Sequence, residues 1–266
     1  MILVVVCALG DLLLDVVVLP ERTLERGDDV PAAIRLAGGG QAANVAVWAR
    51  ALGAEARLIA MRGADAAGEL GAEMLAARGV RLCGPPARGS NGVVLSLVEP
   101  NGERSLASDR GVAPSLDPGE VEPAWLDGCD VLYVSGYSLL AAPICDAAAL
   151  AAGGARSRVA VDLASASAIE QLGAETYRTR LERLAPEVVF GSGRELEVLG
   201  STPAAELVVK REGSIEVGGR RHAWLPAAAV DTTGAGDALA AGYLVGGVDA
   251  ALEAAARCVE RIGAWP

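Results

Sequence analysis

The sequence predicts an α/β protein: a three-layer α/β/α sandwich with a mostly parallel central sheet, accompanied by a small β-rich lid. Three observations carry this reading. Short β-branched runs alternate with Ala-, Leu- and Glu-rich stretches along most of the 266 residues, and that alternation builds a parallel sheet covered by helices on both faces. Two segments, about 12–36 and 92–108, break the alternation and are β-rich, as expected of a separate small sheet. No internal repeat, low-complexity tract or Pro/Ser-rich linker divides the chain, so residues 1–266 are expected to form one domain.

In chain order, residues 2–9 are a β-branched run ended by Gly10 and Asp11, the pattern of a strand buried on both faces. Residues 39–51 enter through glycines and continue as an Ala/Val/Trp helix. A strand over 57–61, a helix over 68–78 and a strand over 92–98 follow. Asn101-Gly102 then separates the last of these from an extended run at 104–107, a hairpin signal. Short apolar strands at 131–135, 159–161, 188–190 and 207–210 alternate with helical stretches. Residues 227–230 read as one more strand, leading into a glycine-rich loop and a helix that begins near Asp237.

Composition narrows the chemistry. With 23 Lys+Arg against 34 Asp+Glu, the formal net charge is −11, which argues against a nucleic-acid partner, since phosphate contacts need a basic face. Lys210 is the only lysine and His222 the only histidine. HExxH zinc sites and the P-loop Gly-Lys-Ser/Thr signature are therefore excluded. The five cysteines are widely spaced without a CxxC pair, the usage of a reducing, cytoplasmic protein. No uninterrupted apolar stretch reaches the roughly 18–20 residues of a membrane span, so no membrane partner is expected.

The densest chemistry lies in Asp231-Thr232-Thr233-Gly234-Ala235-Gly236-Asp237. A glycine loop entering a helix aims free backbone N–H groups and the positive end of the helix dipole at one spot, an anion site built without cationic side chains. Asp237 beside that spot has two local readings. It caps the first turn, or it is the general base for a hydroxyl that attacks a bound phosphoryl group. This heptapeptide resembles the C-terminal signature of the ribokinase-like (PfkB) carbohydrate kinases. The resemblance implies a ribokinase-like fold, ATP as phosphoryl donor and a small sugar, sugar derivative or nucleoside as acceptor. It also implies an anion hole at Gly234, Ala235 and Gly236, with Asp237 as catalytic base.

Gly38-Gly39-Gly40-Gln41-Ala42-Ala43-Asn44 resembles the N-terminal signature of the same family, which implies that Gly39, Gly40 and Asn44 hold acceptor hydroxyls. Leu52-Gly53-Ala54 and Gly63-Ala64-Asp65 follow in family order. Asp11 and Asp15 stand at the carboxyl end of the first strand, where ligands of α/β sheets bind, and a carboxylate can accept two sugar hydroxyls. Asp15 matches the substrate-binding aspartate of the family, while Asp11 stands where relatives carry a small polar residue. The resemblance places the nucleotide against Ser192, Lys210, Gly213, Thr232, Gly234 and Gly236. It implies Mg²⁺ held through water near Glu195, a K⁺ site near Asp231 and a homodimer formed through the lid.

Two departures stand out. Ser192 replaces the asparagine of the Asn-x-x-Glu motif, and the loop after Lys210 is about two residues short, leaving only Gly213. They motivate the rival reading of a non-catalytic ligand-binding or regulatory protein, which the intact Asp237 opposes. A nicotinamide-dependent dehydrogenase is disfavoured because the first strand leads to Gly10 alone and not to GxGxxG. Arg110 follows the hairpin, near an anionic group of substrate or ATP or simply on the surface. Tyr137 ends a strand on the ligand side, where it touches substrate or packs as an ordinary aromatic. His222 falls in a surface hairpin and is expected to be solvated.

Overall fold

The computed structural model describes residues 4–101 and 104–266. In chain order, the first part contains β1 (Val5–Leu9), β2 (Leu13–Pro20), β3 (Ala32–Gly39), α1 (Gln41–Ala51) and β4 (Glu55–Ile59). It continues with β5 (Arg62–Gly63), α2 (Ala66–Ala77), β6 (Arg81–Cys83), β7 (Pro86–Ala87), β8 (Asn91–Val98) and β9 (Arg104–Gly111). The second part contains β10 (Val131–Ser135), α3 (Ile144–Gly154), β11 (Arg158–Asp162), α4 (Ala166–Leu172), α5 (Ala174–Glu182), β12 (Val188–Ser192) and α6 (Gly193–Leu199). It closes with β13 (Glu206–Arg211), β14 (Ser214–Val217), β15 (Arg220–Ala223) and α7 (Ala235–Val259).

The main sheet has the order β15-β14-β13-β12-β11-β10-β1-β4-β6. Its neighbours from β6 to β13 run parallel, and the β14–β15 hairpin closes one edge antiparallel. Successive side chains of a strand point to opposite faces, and β1 shows the consequence. Val6 and Ala8 join the core under α1, α2 and α7, whereas Cys7 and Leu9 join the core under α3, α4, α5 and α6. Helix α1 is buried without a break from Ala42 to Ala49, because it is wedged between the sheet and α7. Each fully buried Val, Leu or Trp of this layer contributes on the order of 1.5–3 kcal/mol.

Helix α7 is long and apolar enough to cross a bilayer by length and composition alone. In this fold it is a core helix, broken at Gly247 (φ 76°, ψ −159°) and buried along Ala238–Gly242 and again at Ala251, Leu252, Ala254 and Ala255.

The second sheet has the order β3-β2-β8-β9 and is formed by the two segments that break the alternation. Of the expected hairpin, β8 and β9 pair antiparallel, while Gly102 of its turn lies outside the described residues, as do residues 2 and 3 of the first expected strand. Residues 227–230 are not a strand. The strand beside β13 is β14, and the amides of Val230 and Asp231 donate to the Val259 carbonyl at 2.7 and 3.1 Å.

Candidate active site

The site is assembled around the start of α7. Gly234 is the residue before the helix and adopts φ 74°, a left-handed conformation that side chains other than glycine rarely tolerate. A Cβ there would also meet that of Ala264 at 2.6 Å. Asp231 shapes the loop. Its Oδ1 accepts from the backbone N (2.9 Å) and Oγ1 (2.6 Å) of Thr233, and its Oδ2 accepts from the Gly263 amide at 2.9 Å. Within the loop the Thr233 amide is taken by Asp231 and the Ala235 amide donates to the Thr232 carbonyl at 3.3 Å, while the amides of Gly234 and Gly236 lie at the start of α7, where N–H groups lack intrahelical partners.

Two cavities meet at this loop. The first, about 400 Å³, is lined by Gly234 and Asp237, by Asn44 and Gly40 at the start of α1, and by Asp11, Asp15, Arg110 and Tyr137. The second, about 330 Å³, has Lys210, Thr232, Ala235 and Gly236 at its polar end. Trp224, Leu225, Leu252 and Val259 form its apolar wall.

Asp237 Oδ2 accepts a 2.6 Å hydrogen bond from Asn44 Nδ2, and Asn44 Oδ1 in turn accepts from Trp265 Nε1 at 2.8 Å. Burial pushes the Asp237 carboxyl up to about 7, with the Asn44 bond opposing and the Asp162 charge assisting. Gly39 is required by close approach, since a Cβ on it would overlap the Asp15 carboxylate. Asp11 lines the first cavity and is paired there with Arg110. It is 4% exposed, and its two oxygens accept from Arg110 Nε at 2.6 Å and Nη2 at 2.8 Å.

Several expected nucleotide-side residues lie apart. Ser192 and Glu195 form a capping box for α6: Ser192 Oγ accepts from the Glu195 amide at 3.3 Å and Glu195 Oε2 accepts from the Ser192 amide at 2.7 Å. Serine suits this role as well as asparagine. Gly213 turns β13 into β14 with φ 73°, and its carbonyl accepts from the Trp224 amide at 3.2 Å. Ser192, Glu195 and Gly213 line neither cavity. His222 stands half-exposed in β15, opposite Ile215.

Two residues of the site escaped sequence reasoning. Asp162, at the carboxyl end of β11 and 1% exposed, accepts a 2.7 Å bond from Lys210 Nζ. Its Oδ2 is buried without a partner among the described residues. Burial disfavours the Lys210 ammonium, but the negative charges of Asp162, Glu195 and Asp237 outweigh it and hold the pKa above the usual lysine value. Its Nζ lies 3.5 Å from where a Cβ on Gly236 would stand, at the mouth of the anion loop. The rule that singled out Asp11 and Asp15, a carboxylate at the carboxyl end of a strand, applies equally to Asp162. The second is Gln41, whose Oε1 accepts from Ser135 Oγ (2.6 Å) and the Gly136 amide (3.1 Å) beside the first cavity.

Comparison with known proteins agrees with this architecture. The family model described as pfkB family carbohydrate kinase matches residues 5–265. An ATP-dependent ribose-1-phosphate kinase of Halopiger xanaduensis is 31% identical over 245 residues, 84% of this chain and 79% of that protein. Among solved structures, adenosine kinase from Sinorhizobium meliloti superposes with a TM-score of 0.84 at 24% identity, covering 99% of this chain and 96% of that one. Fructokinase with bound ATP from Xylella fastidiosa does so at 0.78 and 19% identity, covering 98% and 95%. The fold is therefore the ribokinase-like three-layer sandwich. The chain belongs to the pfkB family of carbohydrate kinases, and it is a sugar or nucleoside kinase.

Proposed function

We propose that this protein transfers the terminal phosphoryl group of ATP to a hydroxymethyl group of a small sugar, sugar derivative or nucleoside, with Asp237 as general base. The observation that carries this reading is the position of the α7 loop between two cavities, with Asp237 on one side and Lys210 and Gly236 on the other. The acceptor occupies the first cavity, where Asp15, Gly40 and Asn44 hold its hydroxyls, while Gly39, outside the lining, leaves room for the Asp15 carboxylate. The apolar wall of the second receives the nucleotide base. As the acceptor oxygen bonds to the γ-phosphorus, the bond from that phosphorus to the bridging β–γ oxygen breaks. The hydroxyl proton passes to Asp237, and ADP leaves. The amides of Gly234, Ala235 and Gly236 and the Lys210 ammonium offset the charge of the transferring group.

No cluster of three or more acidic, His or Cys side chains that could cage a metal occurs among the described residues. Mg²⁺, which keeps water and phosphate oxygens as ligands, would be held near Asp162, whose Oδ2 is buried without a partner among the described residues, with Glu195, which caps α6, acting through water. When bound, it neutralises the phosphate oxygens of the nucleotide. The five free thiols support a cytoplasmic location.

An ADP-release screen over pentoses, hexoses, sugar acids, nucleosides and ribose 1-phosphate, with Mg²⁺ and with K⁺ or Na⁺, tests the reading. The relative from Halopiger xanaduensis motivates the last acceptor. Turnover on at least one acceptor is expected, faster in K⁺ if the loop near Asp231 takes that ion. No turnover on any of them, with ATP failing to bind, favours the non-catalytic alternative. Because Asp237 acts as a base only when deprotonated and its carboxyl titrates at about 7, kcat/KM for the acceptor is expected to rise through neutral pH and level off above it. A profile flat from pH 5.5 to 8.5 would remove Asp237 from this role.

The outer lid face supports a homodimer. Ile34 (63% exposed), Leu36 (51%) and Leu95 (44%) are large and open to solvent, and Leu36, Val16 and Leu95 stand in register across β3, β2 and β8. By light scattering the wild type is expected to be dimeric and the L36D/L95D variant monomeric. A monomeric wild type contradicts the dimer.

A further inference from the structure

The inner face of the lid carries groups that a neutral polyol does not call for. Side chains two apart on a strand share a face, and Ser96 on β8 with Ser108 and Arg110 on β9 all line the first cavity. Ser96 is 4% exposed, and its Oγ is buried without a hydrogen-bond partner among the described residues. A hydroxyl in that state is destabilising until something bonds to it. Arg110 is prepared in a different way. Asp11 holds it edge-on through Nε and Nη2 at 2.6 and 2.8 Å, so the planar guanidinium is fixed with Nη1 outside that pairing. An arginine oriented by a buried carboxylate, beside serine hydroxyls, is the donor set that phosphate oxygens accept from. Lys210 and the α7 amides lie instead at the second cavity, so the nucleotide has its own cationic group.

From these observations we infer that the acceptor itself carries a phosphate ester, received on the lid side of the first cavity by Arg110, Ser96 and Ser108, while its hydroxymethyl group faces Asp237. Asp11 is a positioning residue for Arg110. The inference rests on the kinase reading for the identity of the cavity, and binding measured without turnover separates the two.

Titration calorimetry of ribose 1-phosphate and of ribose into the protein, without nucleotide, is the test. The wild type is expected to bind the ester at least about tenfold more tightly than the free sugar, the worth of one charge-assisted contact. That ratio is expected to fall toward one in R110M, to recover partly in R110K, and to drop several-fold in S96A. Because R110M leaves Asp11 buried and unpaired, D11N/R110M is measured beside it and is expected to show the same loss of discrimination. Equal affinity for ester and sugar in the wild type, or a ratio unchanged in D11N/R110M, overturns the subsite. So does a rise in the KM for ATP in R110K with the acceptor ratio unchanged, which assigns Arg110 to the nucleotide. Discrimination retained without phosphoryl transfer to any acceptor supports the subsite and sinks the kinase reading alone.

Discussion

Asp237→Asn is expected to lower kcat by roughly a thousandfold, in the range lost with a positioned general base, while the dissociation constants for ATP and acceptor stay within a few-fold. The substitution preserves shape and removes only the proton-accepting charge. Asn44, which donates to Asp237 Oδ2 at 2.6 Å, can still donate to the amide oxygen of the variant. A second readout comes from stability. Burial raises the Asp237 carboxyl from 3.8 to about 7 in the folded chain, so between those values the folded state binds a proton that the unfolded state releases. Stability contributed by this group is therefore present below about pH 4 and is lost as pH rises through 7. D237N is accordingly expected to melt at a higher temperature than the wild type at pH 8, with the difference shrinking toward pH 4. Near wild-type turnover in D237N removes the residue from catalysis, and an unchanged melting temperature at pH 8 denies that its charge is buried at a cost.

Trp265→Ala is expected to destabilise the protein by about 3–5 kcal/mol, the usual loss for a buried tryptophan, and to abolish acceptor binding with it. Trp265 is 7% exposed, and its indole lies against Gly38. Its Nε1 donates to Asn44 Oδ1 at 2.8 Å, while the neighbouring Ala264 carbonyl accepts from Trp48 Nε1 at 2.8 Å. The segment around Ala264 thus braces both the glycine turn before α1 and the asparagine that bonds Asp237. Trp265→Phe separates the two effects. It keeps most of the packing and loses the hydrogen bond, so denaturant melts are expected to show a loss of about 1 kcal/mol, while the acceptor KM rises because Asn44 is no longer oriented. A Trp265→Ala variant as stable as wild type would show that this anchor contributes nothing.

How much of this was legible in the chain follows from the range of each interaction. Strands β1, β10, β11 and β12 show apolar runs of three or more residues because a parallel strand buried on both faces has no polar side to show, whereas β4 is interrupted by Glu55 and Arg57 and the expected strand at 57–61 begins two residues late. The starts of α1 and α7 are marked by glycines that the local backbone demands. Residues 227–230 look like a strand in composition, yet the amide of Val230 is taken by the Val259 carbonyl at the end of α7, a partner remote in sequence. The pairs that complete the site are remote in sequence: Asp162 and Lys210 are 48 residues apart, and Asn44 and Trp265 are 221 apart. No local pattern encodes such partners. Ser192 shows the converse case, since its departure from the family motif suggested a loss at the nucleotide, whereas its hydroxyl caps α6 and holds Glu195 in place.

The most direct test of the account is to follow the terminal phosphorus of ATP by ³¹P NMR in the presence of Mg²⁺ and an acceptor that turns over in the ADP screen, with wild type and D237N side by side at pH 8. The wild type is expected to move the γ-phosphoryl signal into a phosphate monoester as ADP appears in equal amount, and D237N, still binding both ligands, to form the ester at about a thousandth of that rate. ADP appearing with inorganic phosphate and no ester, or ester forming equally fast in both proteins, would contradict it.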